Sequence, residues 1–181
     1  RVRWPSSMAA VGLIAFGLAV LISQFIDPVL QCHDEFSYLL AGETLLEGRF
    51  SNPTPDGWQG LQSLHVLMYP SYASKYPIGT GLIVAVGLLI FGNPLSGSWL
   101  SAATFSIACT WMLNGALSKR WSLAGGLLIA CHPTLQVTWS QSLLQGYLVA
   151  TGCALLTGGV LRLRRWVTLS ASLFSGSGVA L

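Results

Sequence analysis

The acidic residues are the side chains best able to do chemistry, and they lie in one stretch of the chain. All six are found between positions 27 and 56: Asp27, Asp34, Glu35, Glu43, Glu47 and Asp56. The run His33-Asp34-Glu35 joins an imidazole to two carboxylates, and both kinds of group serve as general bases. A structural interpretation also fits, in which Asp34 caps a helix that begins here and Glu35 favours the positive end of that helix. The spacing leaves both interpretations open.

Two cations, Arg49 and Lys75, accompany the acids. Either could hold a phosphate by charge and hydrogen bonds, or anchor the stretch at lipid headgroups. His65 and His132 are each isolated from other ligand-type residues, and such histidines more often pack or form hydrogen bonds than bind a metal. We therefore predict no metal site and no cofactor.

The composition predicts a membrane protein. Of the 181 residues 52% are hydrophobic and 8% are charged, against roughly 25% charged in ordinary soluble domains. Several apolar stretches approach the roughly 20 residues that a helix needs to span a bilayer, where backbone groups must bond internally. The predicted fold class is all-α: a polytopic transmembrane helical bundle with a helical juxtamembrane outer loop. The net charge of +3 does not imply a nucleic-acid partner, because in a membrane protein the placement of the charges matters more than their sum.

We predict a single transmembrane module with five spans and an outer loop at 27–94. The spans are 8–26, 95–117, 121–140, 146–161 and 166–181. A further apolar run, 79–92, is about 14 residues long, which is short for a crossing. If this run does not cross, seven of the nine Lys and Arg residues lie inside, as the positive-inside rule requires. We therefore interpret 79–92 as a juxtamembrane or re-entrant helix on the outer face.

The ends of the chain and the start of the outer loop support further expectations. The first span follows Arg1 and Arg3 and lacks a small-residue cleavage site, which favours a retained anchor with a cytoplasmic N-terminus over a signal peptide. The last apolar run reaches Leu181 without a polar terminus, so we expect a longer protein, truncated here at the C-terminus. Within the outer loop, 35–47 has the pattern of a short amphipathic surface helix that stops at Gly48.

Three runs of the sequence resemble the start of bacterial GT-C glycosyltransferases, which are similar to protein O-mannosyltransferases and to the lipid A aminoarabinose transferase. The runs are HDEFSYLLAGET (33–44), GRFSNPT (48–54) and YASKYPIG (72–79). The Lys119-Arg120 turn, the His132-Pro133 step and the 161–163 segment also fit. The first loop is the specific part, because the helices alone would match many transporters.

The resemblance implies the transfer of a sugar, with inversion, from a polyprenyl-phosphate donor to an acceptor on the outer face of a bacterial inner membrane. The acceptor would be a lipid, a glycan or a protein hydroxyl. Asp34 matches the family's first-loop acid, which is taken to be the catalytic base, and Glu35 would be its neighbour or orienter. Lys75 matches the lysine before the proline motif and would hold the donor phosphate, with Arg49 as a second candidate. We expect the 181-residue piece alone to be inactive.

The match has one departure, at the outer end of the span after the His132-Pro133 step. Related enzymes often carry a second acid there, whereas this chain has Gln145 as the candidate to hold that place by hydrogen bonding. His33 and Tyr76 are further candidates to line the site.

A different class of function also fits, a non-catalytic membrane scaffold subunit or a transporter. The predicted spans carry no Asp, Glu, Lys or Arg away from their ends. Because transporters usually bury such groups within their spans, this argues against an ion-coupled transporter and leaves the scaffold open.

Overall fold

The computed structural model describes residues 4–26, 30, 32–144 and 146–177, and the prediction of a mostly helical chain is confirmed. Its helices are α1 (Trp4–Ile22), α2 (His33–Leu46), α3 (Ile78–Phe91), α4 (Leu95–Leu113), α5 (Lys119–Ala130) and α6 (Gly146–Ser177), with a 3₁₀ turn at Trp58–Gly60 and a π-helix at Leu135–Trp139. Two short strands, β1 (Val66–Leu67) and β2 (Ala73–Ser74), pair antiparallel between α2 and α3.

Two of the described helices are long and apolar enough to cross a membrane, within Pro5–Ile22 and Gly146–Arg164. Helices α3 and α4 are together long and apolar enough for one further span, but their axes are bent by 109° at a short break. If this pair is one broken span, the number of candidate spans rises to three. The predicted helix at 79–92 is thus observed as α3. A bend of this kind fits a broken span or a re-entrant loop, so the re-entrant assignment stays a prediction.

The helix boundaries differ from the predicted spans towards the C-terminus. The chain has one continuous helix, α6, where two spans were predicted at 146–161 and 166–181; positions 178–181 lie outside the described residues. The joining segment 162–165 consists of three arginines and a leucine, which favour helix and include no glycine or proline to end it. The predicted span 121–140 is instead interrupted, because Pro133 lacks the N–H that a continuing helix needs.

The outer loop is organised around α2, which matches the predicted helix at 35–47 and ends before Gly48 at a positive φ of 72°. The buried face of α2 is small and polar rather than apolar: Glu35, Ser37, Gly42 and Thr44. Close packing on α3 explains the glycine among them. A Cβ placed on Gly42 would lie 2.5 Å from Cγ1 of Val84, so a glycine lets the two helices approach each other.

The ribbon of β1 and β2 returns along the first turns of α2 and is fixed there by hydroxyl groups. The Ser37 hydroxyl donates to the His65 carbonyl at 2.7 Å and lies 2.7 Å from the Ser74 hydroxyl. His65 directly precedes β1, and Tyr76 follows β2 by two residues. Ser37 therefore brings both ends of the ribbon to the helix turn that carries Asp34.

Buried glutamines connect the segment around the π-helix to α1. The side chain of Gln136 donates to the Ala15 carbonyl at 3.3 Å, and that of Gln141 donates to the Ala19 carbonyl at 2.9 Å. Ala19 also belongs to the main hydrophobic cluster, together with Leu143. The turn before α6 is thereby held at the C-terminal end of α1, on the side where α2 begins.

Candidate functional site

The Asp34 carboxylate is held by two residues from the second half of the outer loop. The Tyr76 hydroxyl donates to Asp34 Oδ1 at 2.7 Å, and His65 Nδ1 lies 2.5 Å from the same oxygen. His65 Nδ1 and the Tyr76 hydroxyl are 2.6 Å apart. We call Asp34, His65 and Tyr76 the Asp34 cluster. The Asp34 and His65 side chains keep 35% and 28% of their surface exposed, so a reactant can reach them.

Aromatic rings surround this cluster. The ring of His33 stacks on that of His65, with centroids 5.8 Å apart and an interplanar angle of 8°. The ring centroid of Tyr38, one turn further along α2, lies 4.9 Å from that of Tyr76. The structure thus brings the predicted site-lining residues His33 and Tyr76 together with Asp34.

The phenols of Tyr76 and Tyr38 beside Asp34 remain neutral. The hydrogen bond to Asp34 and partial burial raise the pKa of Tyr76 to about 12, because both favour the protonated phenol over the phenolate. Burial, and then the charge of Asp34, also raise the pKa of Tyr38. Neither phenol can serve as a base near neutral pH, and the cluster's proton acceptors are therefore Asp34 and His65.

Glu35 occupies a different environment from its neighbour Asp34. It is 2% exposed. Its Oε1 accepts the Leu143 N–H at 2.9 Å and its Oε2 accepts the Cys32 N–H at 3.1 Å. Cys32 is the N-cap residue of α2, so the carboxylate that serves the helix start is that of Glu35, while Asp34 faces His65 and Tyr76. Glu35 connects α2 to the turn before α6.

The backbone of Lys75 contacts the Asp34 cluster. Its N–H donates to the His65 carbonyl at 3.2 Å, and its side chain is exposed. Within the described ranges its ammonium forms no ion pair. Lys75 also lies three residues before α3 begins at Ile78, where unbonded N–H groups and the helix dipole favour an anion. Lys75 is therefore an exposed cation close in sequence to a helix end that favours anions.

Arg49 is not brought to the cluster. It follows the C-terminal end of α2, whereas Asp34 lies in the first turn of that helix; fourteen residues at about 1.5 Å each separate the two ends by roughly 20 Å. Arg49 forms an ion pair with Glu47. Its contacts and position therefore do not support Arg49 as a partner of Asp34 in the site.

An apolar groove opens between α3, α4 and α6. Its volume is about 390 Å³. The lining includes Leu82, Val86, Leu100 and Leu148, all of them apolar. Leu82 lies six positions after Tyr76, so one short segment connects the groove to the Asp34 cluster.

Other predicted residues lie elsewhere or outside the described part of the chain. Gln145 lies outside the described residues, as do Asp27, Arg1 and Arg3. His132 is exposed in the turn that follows α5. In the ranges that the structure describes, no group of three or more His, Cys, Asp or Glu side chains is arranged to hold a metal ion.

His65 is the residue that the sequence interpretation undervalued. It was expected to pack or to form hydrogen bonds, and it does form hydrogen bonds, but with the candidate base. The signal in the sequence was weak: a short apolar run around Val66 and a short polar run around Ser74, separated by a turn containing Pro70, a pattern that fits a hairpin.

Comparison of the chain with models of protein families, with curated proteins and with solved structures finds no match in any of the three.

Proposed function

We propose that this chain belongs to a polytopic glycosyltransferase of the bacterial inner membrane. It would transfer a sugar, with inversion, from a polyprenyl-phosphate donor to an acceptor hydroxyl of a lipid, glycan or protein. The N-terminus lies in the cytoplasm and the outer loop lies on the outer face. The resemblance of the outer loop to GT-C enzymes is the first support for this proposal.

The observation that carries the proposal is the arrangement of the segment 75–82. Tyr76 contacts the candidate base Asp34. Lys75 is exposed at the start of α3, and Leu82 lines the apolar groove. A substrate with an anionic phosphate between a sugar and an apolar chain has the chemistry to match these three features in order.

The reaction assigned to this site needs one proton acceptor and one cation. As the acceptor oxygen forms its bond to the anomeric carbon, the acceptor O–H bond breaks and Asp34 takes the proton. The bond from the anomeric carbon to the phosphate oxygen breaks at the same time, and its electron pair leaves with the polyprenyl phosphate. Lys75 and the start of α3 stabilise the charge that develops on that phosphate.

The experiment that tests this function is a transfer assay on the full-length protein in liposomes. Polyprenyl-phosphate donors with different radiolabelled sugars are supplied together with a membrane extract as the source of acceptors. We expect labelled product and free polyprenyl phosphate to appear in equal amounts. No turnover of any donor would argue for the scaffold function instead. Release of polyprenyl phosphate without transfer to an acceptor would show that the donor is hydrolysed and would contradict the transferase function.

Lys75→Ala is expected to weaken donor binding by about 10- to 100-fold, because a charge-assisted hydrogen bond contributes about 1.5 to 3 kcal/mol. Lys75→Arg should retain part of the affinity, since it preserves the charge and changes the geometry. The measurement is the equilibrium binding of a non-transferable polyprenyl-phosphate sugar to protein in nanodiscs.

Arg49→Ala is the matched control, because it also removes one cation from the outer loop. Its contact with Glu47 and its distance from Asp34 predict parental donor affinity. Equal affinity in Lys75→Ala and the parent would remove Lys75 from the phosphate site. A loss of donor affinity confined to Arg49→Ala would instead assign the phosphate site to the C-terminal end of α2.

We predict that Lys119 faces the cytoplasm and that Lys75 faces outward. Arg162 donates to the Trp111 carbonyl at 2.7 Å, so the basic part of α6 lies at the end of α4 that leads to Lys119. Single cysteines at 119 and 75, in a background without the four native cysteines, are labelled with an impermeant maleimide. Position 75 should react in intact cells and position 119 only after permeabilisation. Equal labelling in intact cells would contradict the topology.

A further inference from the structure

The hydrogen bonds of the Asp34 cluster determine which nitrogen of His65 carries a proton. Tyr76 has a single hydroxyl proton and donates it to Asp34 Oδ1. It has none left for His65, whose Nδ1 lies 2.6 Å from the Tyr76 oxygen and 2.5 Å from Asp34 Oδ1. Nδ1 must therefore be the donor in both contacts. In the neutral ring the lone pair is then on Nε2.

Nε2 of His65 is the position where the cluster can gain a charge. The side chain is 28% exposed, so protons from water reach it. Among residues that the structure describes, no group forms a hydrogen bond with Nε2.

We propose that His65 is a positioning residue for Asp34. Its Nδ1–H holds Oδ1 and leaves Oδ2 for the acceptor, and protonation at Nε2 weakens Asp34 as a base. The inference rests on the proposed function, in which Asp34 takes the acceptor proton. Neutral His65 gives the carboxylate a hydrogen bond, whereas the imidazolium adds a full positive charge 2.5 Å away. That charge stabilises the carboxylate and lowers its affinity for a proton.

Groups from both sides of the cluster face His65. On α2 these are Asp34 and the stacked ring of His33. On the segment before α3 they are Tyr76 and, through its backbone, the exposed Lys75. The His33 ring lies close enough to that of His65 for a charge on one to act on the other. A His33→Phe background keeps an aromatic ring and removes the second imidazole.

His65→Asn tests the role, because the asparagine amide donates a hydrogen bond from about the position of Nδ1 and cannot become charged. In the parent, kcat/KM should fall on the acid side as His65 gains its charge. A neighbouring charge changes basicity by about 10- to 1,000-fold. If the transition state experiences half of this change in free energy, kcat/KM falls by about 3- to 30-fold. In His65→Asn this partial fall should be absent, and the acid-side loss that remains is the one caused by protonation of the base Asp34 itself.

His132→Asn makes the same change at an exposed histidine after α5 and should keep the parental pH profile. The thermal midpoint of each variant shows that it is folded. An acid-side fall that persists unchanged in His65→Asn would overturn the proposal.

A second measurement is independent of catalysis. Nitrogen NMR of the full chain labelled with ¹⁵N-histidine, with the His65 signal identified by its loss in His65→Asn, reports which nitrogen carries the proton. We expect Nδ1–H in the parent, and in Asp34→Ala a loss of this preference. A neutral His65 protonated at Nε2 would overturn the pairing. Absence of sugar transfer by the parent would instead reject the proposed function, and the NMR result would still decide the pairing.

Discussion

Asp34→Asn in the full-length protein is expected to lower the rate of sugar transfer by about 100- to 10,000-fold, the usual contribution of general-base assistance. Asparagine has nearly the same size as aspartate and keeps an oxygen that can accept from Tyr76 and His65. The fold of the outer loop should therefore survive while the proton acceptor is lost. The measurement is single-turnover transfer from a labelled polyprenyl-phosphate donor, with thermal midpoint and elution profile as checks on folding.

Asp56→Asn is the matched control for this experiment. It removes an exposed carboxylate from the same outer loop, and the substitution is chemically identical. Turnover should stay within about twofold of the parent, because surface substitutions away from a site have small effects. A well-folded Asp34→Asn protein that transfers sugar at the parental rate would remove Asp34 as the base. His65, the other proton acceptor of the cluster, would then be tested in that role.

The sequence predicted the helical class because two simple signals agreed. Charges are scarce, and apolar stretches near 20 residues must be helical in lipid. The extent of α6 was mispredicted because the apolar runs on either side of the basic segment 162–165 were counted as two separate spans. A short basic segment between two apolar runs does not require the helix to end there. The arginines continue α6, and Arg162 donates to the carbonyl of Trp111 in the last turn of α4.

The candidate site was predictable only where its residues are close in sequence. Asp34 was singled out because every acid lies in one segment of the chain. Its contact with Tyr76 spans 42 positions and depends on where a short ribbon lies against α2. No periodicity encodes that position, since it is set by the Ser37 and Ser74 hydroxyls. His65 was undervalued for the same reason.

Glu35 shows how adjacent carboxylates acquire different roles. Sequence reasoning treated it as an orienter of Asp34, because neighbouring residues suggest shared chemistry. Successive residues on a helix point in directions about 100° apart, so Glu35 turns into the protein while Asp34 faces the ribbon. Its partner Leu143 is 108 positions away and could not be identified from local pattern.

Glu35→Ala is expected to destabilise the folded chain by about 3 kcal/mol, because the N–H groups of Leu143 and Cys32 both lose a charged acceptor. For a chain of this size that corresponds to a fall in thermal midpoint of about 10 °C. Glu35→Gln keeps one acceptor oxygen and should cost roughly half as much. The measurement is thermal unfolding in one detergent, combined with the transfer rate per folded molecule.

Glu43→Ala provides the comparison, since Glu43 is an exposed carboxylate on the same helix. Its midpoint should stay close to the parental value, because alanine favours helix and no buried N–H loses its partner. If Glu35 connects α2 to the turn before α6, its variants lose stability first, and turnover at permissive temperature falls less than tenfold. Parental stability with a 100-fold loss of turnover would instead make Glu35 part of the chemistry. The contact between Leu143 and Glu35 would then serve to orient the carboxylate.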